Sequence, residues 1–187
     1  MTDLKKKEDQ TAAEHGKCML NRREFLMYSG TAAVAASTVS LSLFPGTAKA
    51  RVVSYPRKKI GQLSKLKNNQ LANFTYPDDK AHNFLVKMDG AKAGGGLGSQ
   101  RDVVAFSYVC THQGGPMVGT YKAVGPHRVM GQCPLHLSTY DLTRHGIIVS
   151  GQAYQSLPQV LLELDGDDIY AVGVMGLLYG RHDNLQS

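Results

Sequence analysis

The stretches Cys110-Thr111-His112-Gln113-Gly114 and Cys133-Pro134-Leu135-His136 each hold one cysteine and one histidine, and residues 113–132 separate them along the chain. Thiolate and neutral imidazole are both metal ligands, so two such boxes can hold a metal centre if the fold brings them together. Glycine and proline lie within or beside both boxes, which predicts ligand loops with a restricted backbone. The sequence therefore predicts a metal centre with four protein ligands: Cys110, His112, Cys133 and His136.

Two kinds of centre use two cysteines and two histidines. A tetrahedral zinc site is one of them, but zinc sites usually take two cysteines from one segment and two histidines from another. The mixed boxes of this chain resemble those of Rieske proteins, which hold a two-iron, two-sulfur cluster. Imidazole in place of two thiolates removes negative charge and raises the reduction potential to roughly −150 to +300 mV. The pattern favours the Rieske cluster and an electron carrier, with zinc as the alternative.

Two hydroxyl residues follow the second box at informative offsets. Ser138 lies two residues after His136, and Tyr140 lies four after it. At these offsets, high-potential Rieske proteins place a serine that donates to a bridging sulfide and a tyrosine that donates to a cysteine sulfur. Such donors stabilise the reduced cluster. The resemblance therefore assigns Ser138 and Tyr140 to the outer shell of the cluster and points to the high-potential branch.

The chain has three cysteines, and Cys18 is the one outside the boxes. In cytochrome bc-type Rieske proteins each box carries a further cysteine, and these two form a disulfide that joins the ligand loops. The matching positions here are Gly115 and Leu135, so we expect no such disulfide. Cys18 lies in a segment that we expect to be removed, so it is not a substitute.

Residues 1–50 read as an export signal. Asn21-Arg22-Arg23-Glu24-Phe25-Leu26 resembles the twin-arginine consensus, an apolar run follows at 27–44, and Ala48-Lys49-Ala50 offers a small-x-small cleavage site. The twin-arginine route carries folded proteins, which suits a cluster assembled in the cytoplasm. The alternative is an uncleaved membrane anchor at 27–44, near the lower limit of about 17 residues for a spanning helix. We expect cleavage near Arg51 and a periplasmic protein, with membrane association as the alternative.

The remaining residues, 51–187, predict one small, mainly β domain of antiparallel strands. Period-two patterns mark the strands, and Asp165-Gly166 predicts a tight hairpin turn. Residues 90–99 predict a loop, and about 110–156 predict an inserted cluster-binding subdomain. The acidic group 165–168 is interpreted as turn chemistry, and the basic run 57–59 as a solvated strand edge. The predicted strands are residues 83–88, 101–109, 128–132, 146–150, 160–164 and 169–174.

Composition limits the class of partner. The full chain has a formal net charge of +6, and this positive excess is too modest to indicate a nucleic-acid partner. No acid/base dyad, nucleophile constellation or nucleotide motif is recognisable, so we expect no catalytic residue and no substrate site in this chain. The five histidines outside the boxes are interpreted as non-ligands: His15, His82, His127, His145 and His182.

Further matches select a branch of the Rieske family. Phe74-Thr75-Tyr76-Pro77-Asp78, residues 157–162 and the C-terminal Gly176-Leu177-x-Tyr179-Gly180-Arg181 resemble the small subunit of arsenite oxidase. The resemblance implies a heterodimer with a large molybdopterin subunit that oxidises arsenite. This chain would relay the electrons through one Rieske cluster to a cytochrome c or azurin.

Two other functions are consistent with the same boxes. The small subunit of a related molybdenum enzyme, such as iodate reductase, is similar. A quinol-oxidising Rieske subunit would need an anchor at 27–44, and it fits less well because Gly151-Gln152-Ala153-Tyr154 departs from the Gly-Pro-Ala-Pro covering loop of that class.

Overall fold

The structure, a computed structural model, describes residues 54–185. In this range ten strands form two antiparallel sheets, with short 3₁₀ helices at Leu63–Lys65 and Leu142–Arg144. The predicted export signal and the alternative anchor lie outside the described residues. The strands are β1 (Lys58–Gln62), β2 (Leu71–Thr75), β3 (His82–Lys87), β4 (Val103–Ser107), β5 (Tyr121–Val124), β6 (His127–Met130), β7 (Thr139–Asp141), β8 (Ile147–Ser150), β9 (Gln159–Asp165) and β10 (Asp168–Met175).

The order of the strands shows where the ligand boxes lie. The larger sheet has the order β1-β10-β9-β4-β3-β2, and the smaller sheet has the order β5-β6-β7-β8. Strand β4 pairs directly with β9, with Ala105 opposite Val160. The chain between these two strands therefore leaves the larger sheet, forms the smaller sheet, and returns. This arrangement confirms the predicted antiparallel β domain with an insertion.

Strand ends differ from the predictions where the backbone takes a positive φ. The strand predicted at 101–109 begins at Val103, because Arg101 has a φ of 55°. The strand predicted at 128–132 ends at Met130, before Gly131 with a φ of 145°. Extended backbone needs a negative φ, so these residues terminate the ladders. The hairpin predicted at Asp165-Gly166 is confirmed, with Gly166 at a φ of 60° in its turn.

The central strands are buried on both faces of the larger sheet. Phe84, Val86, Val104 and Phe106 belong to one apolar core, together with Cys110 and Cys133. The residues that alternate with them along the strands, among them Leu85, Val103 and Ala105, form the second core on the opposite face. Because side chains alternate across a strand, a strand covered on both sides reads as a continuous apolar run. The first of these cores extends from the larger sheet to the ligand cysteines.

The basic run at 57–59 lies on the edge strand, but it is not simply solvated. One Nη atom of Arg57 lies 3.2 Å from carboxylate oxygens of Glu163 and Asp165, and its guanidinium carbon is 3.5 Å from the ring centroid of Tyr170. The acidic group is also more than a turn, because the Asp167 carboxylate accepts hydrogen bonds from the backbone and hydroxyl of Ser64. Both interpretations were incomplete, because cross-strand partners depend on the register of β1.

Candidate metal centre

Both ligand boxes have the same backbone geometry. In the first, the Cys110 N–H donates to Gly115 O at 2.9 Å, and the Gly114 N–H donates to Cys110 O at 3.0 Å. In the second, the Cys133 N–H donates to Ser138 O and the Leu137 N–H to Cys133 O, both at 2.9 Å. The offsets from the cysteine are identical in the two loops. The two boxes therefore present their cysteine and histidine side chains from matching turns.

The fourth residue after each cysteine has a left-handed backbone. Gly114 has a φ of 69°, and Leu137 has a φ of 61°. Glycine adopts this conformation freely, whereas a side chain such as that of leucine costs about 1–2 kcal/mol there. The two hydrogen bonds of the second loop hold Leu137 in this conformation despite the cost.

The structure brings the four predicted ligands together as two layers. Cys110 and Cys133 are each 1% exposed and belong to the same core. The rings of His112 and His136 lie next to each other, with centroids 4.6 Å apart and an angle of 83° between their planes. His136 is exposed, and His112 is partly buried. The thiols therefore lie on the inner side of the site and the imidazoles on the outer side.

The donor set fits a cluster placed between these layers. The Nδ1 atom of His112 is buried and has no hydrogen-bond partner among the described residues, as a nitrogen reserved for a metal would be. Among residues 54–185, no three His, Cys, Asp or Glu side chains surround a single metal position. A two-iron cluster does not require such a trio, because each iron takes only two protein ligands. The four side chains would hold the cluster as two thiolates and two neutral imidazoles.

Tyr140 lies against the first thiol. Its side chain is fully buried, and its hydroxyl oxygen is 3.1 Å from Cys110 Sγ. Burial, together with the hydrogen bond to Cys110, raises the pKa of Tyr140 to about 12, so the phenol keeps its proton at physiological pH. Burial also raises the pKa of Cys110, but hydrogen bonds from Tyr140 and the His112 backbone N–H outweigh it and leave that pKa below its usual value. A lowered thiol pKa favours the thiolate that iron binds.

Ser138 is fully buried and holds the covering segment, residues 151–156, over the site. Its hydroxyl oxygen accepts hydrogen bonds from the backbone N–H groups of Gln152 at 3.2 Å and Ala153 at 3.1 Å. A hydroxyl oxygen has two acceptor positions, and these two bonds occupy both. The proton of Ser138 is therefore available for donation to a buried acceptor, as a cluster sulfide would be.

Thr111, between two ligands in sequence, connects the site to the covering segment. Its hydroxyl donates to Gln155 O at 2.7 Å and lies 3.0 Å from the hydroxyl oxygen of Tyr140. Beyond this contact, the exposed ring of Tyr154 stands 6.4 Å from the ring of His112. The contact made by Thr111 was not predicted from the sequence. Only the position of Thr111 inside the first box could have indicated it.

Gly115 and Leu135, the positions that correspond to the disulfide of cytochrome bc-type proteins, are in contact. A Cβ atom at Gly115 would lie 2.7 Å from Cys133 Sγ and 3.0 Å from Leu135 Cδ1. The leucine side chain thus covers the space above the glycine. The loops approach each other here through apolar packing.

His145, one of the histidines outside the boxes, makes a contact within the fold. His145 Nδ1 lies 2.8 Å from Gln159 Oε1, a contact that joins the insertion to β9. A Cβ atom at Gly94 would lie 2.2 Å from the His145 ring, so glycine is required beneath it. This histidine has a structural contact, in keeping with its interpretation as a non-ligand.

These features define a class of metal-binding β protein. One sheet is inserted between two strands of the other, and two loops each present one histidine and one buried cysteine. The Rieske [2Fe-2S] domain matches residues 57–161 of the chain. The chain belongs to this family, and its cofactor is one Rieske [2Fe-2S] cluster.

Two relatives are similar over most of their length. The chain is 52% identical to the iodate reductase subunit IdrB of Denitromonas iodatirespirans, over 91% of this chain and 90% of that protein. It is 49% identical to the IdrB subunit of Pseudomonas sp. (strain SCT), over 88% of this chain and 84% of that protein. The soluble domain of the Rieske protein II (soxF) from Sulfolobus acidocaldarius shares the fold, with a TM-score of 0.59 and 24% identity over 71% of this chain and 85% of that one.

Family membership decides one alternative left open by the sequence. A Rieske cluster takes the place of the zinc alternative, because the family match covers both boxes. The assignment of Cys110, His112, Cys133 and His136 as its ligands, with Ser138 and Tyr140 as outer-shell donors, stays a prediction that the geometry supports.

Proposed function

We propose that this chain is the Rieske electron-transfer subunit of a molybdenum oxidoreductase of the iodate reductase type. The observation that supports it is 52% identity to an iodate reductase subunit over nine-tenths of both proteins. The finding favours this function over arsenite oxidase, which was the first expectation. Catalysis would take place in a larger partner subunit that carries a molybdopterin.

The arrangement of the ligands suits an electron relay. The cluster supplies a one-electron carrier when it is bound. Cys110 and Cys133 would hold the cluster through thiolates that are almost fully buried, so water has little access to them. The neighbouring rings of His112 and His136 would supply its imidazole ligands, and the exposed His136 would be accessible to a redox partner. Tyr140 would stabilise the reduced state by donating toward Cys110 Sγ.

The proposed reaction sets the direction of electron flow. Reduction of an oxyanion in the partner subunit consumes electrons. This chain would therefore accept electrons from a donor such as a cytochrome c or azurin and pass them to the partner subunit. Oxidation of arsenite would need the reverse flow. The exposed side chain of His136 would be accessible to a redox partner in either case.

The substrate is tested by producing the chain together with a candidate large molybdopterin subunit of the iodate reductase type. We expect the two to copurify and the complex to consume iodate with a reduced dye, and His136→Ala to abolish this activity. His127→Ala, at an exposed histidine outside the boxes, is the matched control and should keep the activity. Arsenite oxidation without iodate reduction would instead support arsenite oxidase, the second candidate that the C-terminal match favours.

We also propose that the protein works in the periplasm after export by the twin-arginine route, on the basis of the sequence of residues 21–50. No helix within residues 54–185 is long and apolar enough to cross a membrane.

Replacing Arg22 and Arg23 with lysine should leave the protein in the cytoplasm with its cluster. The twin-arginine receptor reads the guanidinium pair, and lysine lacks its planar fork. Fractionation followed by iron analysis measures the outcome. Normal periplasmic arrival of the Lys-Lys variant would contradict the proposal, and N-terminal sequencing that begins before Met27 would contradict cleavage.

A further inference from the structure

The C-terminal motif Gly176-Leu177-Leu178-Tyr179-Gly180-Arg181 has no part in the proposed function. It follows β10 directly and leaves the larger sheet. Gly176 and Gly180 have φ values of 92° and 78°, a conformation that strongly favours glycine at both turns. The segment 176–185, which we call the C-terminal strap, therefore has a specific path that its glycines allow.

Asn184 closes the strap on itself. Its side-chain oxygen accepts the N–H of Leu178 at 2.8 Å, and its side-chain nitrogen donates to Gly176 O at 2.8 Å and to the hydroxyl of Tyr55 at 3.0 Å. Asn184 is buried; its hydrogen bond from Leu178 is buried as well, and those to Tyr55 and Gly176 are partly buried. Losing a buried amide partner of this kind costs about 1–3 kcal/mol.

A bidentate ion pair fastens the strap to the connection between β2 and β3. Both terminal nitrogens of Arg181 donate to the carboxylate of Asp78, one of them at 2.9 Å, and Nη1 also donates to Asn184 O at 3.1 Å. The hydrogen bond from Arg181 lowers the pKa of Asp78 to about 2. The carboxylate is therefore charged, and the pair intact, across the physiological pH range.

The fixed strap places one aromatic ring on the first ligand loop. A Cβ atom at Gly114 would lie 2.5 Å from Tyr179 Cε1 and 2.9 Å from Cδ1, so the ring rests directly on the backbone of Gly114. Gly114 lies two residues after His112, and its N–H closes the loop by donating to Cys110 O. None of the hydrogen bonds found within residues 54–185 uses the Tyr179 hydroxyl. The contact is made by the ring alone.

We propose that Tyr179 is a positioning residue for the cluster. Its ring restrains the loop from Cys110 to Gly115 and keeps water from that side of the loop, while the Arg181–Asp78 pair and Asn184 hold the ring in place. The first loop needs such a restraint because Gly114 and Gly115 contribute no side chains of their own. The second loop has the side chains of Leu137 and Ser138 at the corresponding positions.

The proposal concerns the cluster of the family and does not depend on the substrate of the partner subunit. A positioning role for Tyr179 can be distinguished by experiment from a role in general stability. A ring that only stabilises the fold would change the unfolding temperature and leave the intact cluster unaltered. A ring that positions the ligand loop would also change the reduced-state spectrum, the potential and the rate at which the cluster is lost, since potentials of such clusters depend on sulfur hydrogen bonds and solvent exposure.

The test uses the full exported chain with its cluster. We expect Tyr179→Ala to lose its visible absorption several-fold faster than wild type in an iron chelator, with an altered paramagnetic spectrum and a shifted potential. Tyr179→Phe keeps the ring and should match wild type in all three measurements. Leu177→Ala is the matched control, because Leu177 lies in the same strap with similar exposure, 41% against 46% for Tyr179. Should Tyr179→Ala fail to accumulate, Tyr179→Leu gives the same comparison with less loss of volume.

A second variant tests the ion pair. Asp78→Asn should raise the rate of cluster loss by a smaller factor than Tyr179→Ala, and it should add nothing further when Tyr179 is already alanine, because both changes act through one contact. Three results would each overturn the proposal. The first is that Tyr179→Ala matches wild type in the rate of cluster loss, the spectrum and the potential, and the second is that Leu177→Ala has as large an effect as Tyr179→Ala. The third is that Asp78→Asn has its full effect even when Tyr179 is alanine.

Discussion

Alanine at His112 or His136 should abolish the rhombic paramagnetic signal of the reduced protein. Imidazole ligation makes one iron distinct from the other and gives the reduced cluster an average g value below that of all-cysteine clusters. The two rings are side by side, 4.6 Å apart, so removal of one leaves an iron with an open position at an exposed edge. We expect loss of the cluster itself, measured as iron and acid-labile sulfide per chain together with the signal.

The control for this experiment is His127→Ala, at an exposed position outside the boxes, which should keep full cluster content. A wild-type signal in His136→Ala would remove this residue from the ligand set. Purification of the chain with one zinc and no iron would contradict the Rieske centre as a whole.

Removing either outer-shell hydroxyl should lower the reduction potential by about 60–130 mV. A hydrogen bond to a charged group contributes about 1.5–3 kcal/mol, and 59 mV corresponds to a tenfold change in the equilibrium constant of a one-electron couple. Tyr140→Phe deletes a donor 3.1 Å from Cys110 Sγ and keeps the buried ring, so it is the cleaner change. Ser138→Ala should also lower the potential, and the double variant should have a lower potential than either single variant.

The matched control is Tyr108→Phe. Tyr108 is also buried and lies two residues before Cys110, but its hydroxyl donates to Asn73 at 2.6 Å, away from the ligands. Its potential should stay near that of wild type. Protein-film voltammetry measures wild type and the four variants under one condition. If Tyr140→Phe changes the potential no more than Tyr108→Phe, Tyr140 does not donate to the cluster.

Ser138→Ala carries a second expectation that follows from the structure. Because the Ser138 oxygen also accepts the N–H groups of Gln152 and Ala153, its loss leaves two partly buried backbone donors without this partner. The covering segment should loosen, and faster hydrogen exchange at residues 152–155 should accompany the lower potential. Tyr140→Phe should leave exchange at Gln152 and Ala153 unchanged.

Local chemistry and spacing made most of the site predictable. One cysteine and one histidine in each of two loops, followed by a serine and a tyrosine at fixed offsets, indicate a cluster and its hydrogen-bond donors wherever the loops lie in space. Strand patterns and the Asp165-Gly166 turn indicated the antiparallel domain, because alternation and turn chemistry act over a few residues. The branch of the family was less predictable, since small subunits of related enzymes share these same features.

By itself, the sequence determined the cofactor class, the four candidate ligands and the mainly β fold, because each depends on residue type and short-range spacing. Only the tertiary structure decided which distant groups support the ligands. The fold places the carboxylate of Asp78 beside Arg181 and the ring of Tyr179 on Gly114, although no local pattern connects these positions. The structure also shows what the residue type of Leu137 does not indicate: this residue has a left-handed backbone like that of Gly114, because two hydrogen bonds within its loop outweigh the conformational preference of leucine.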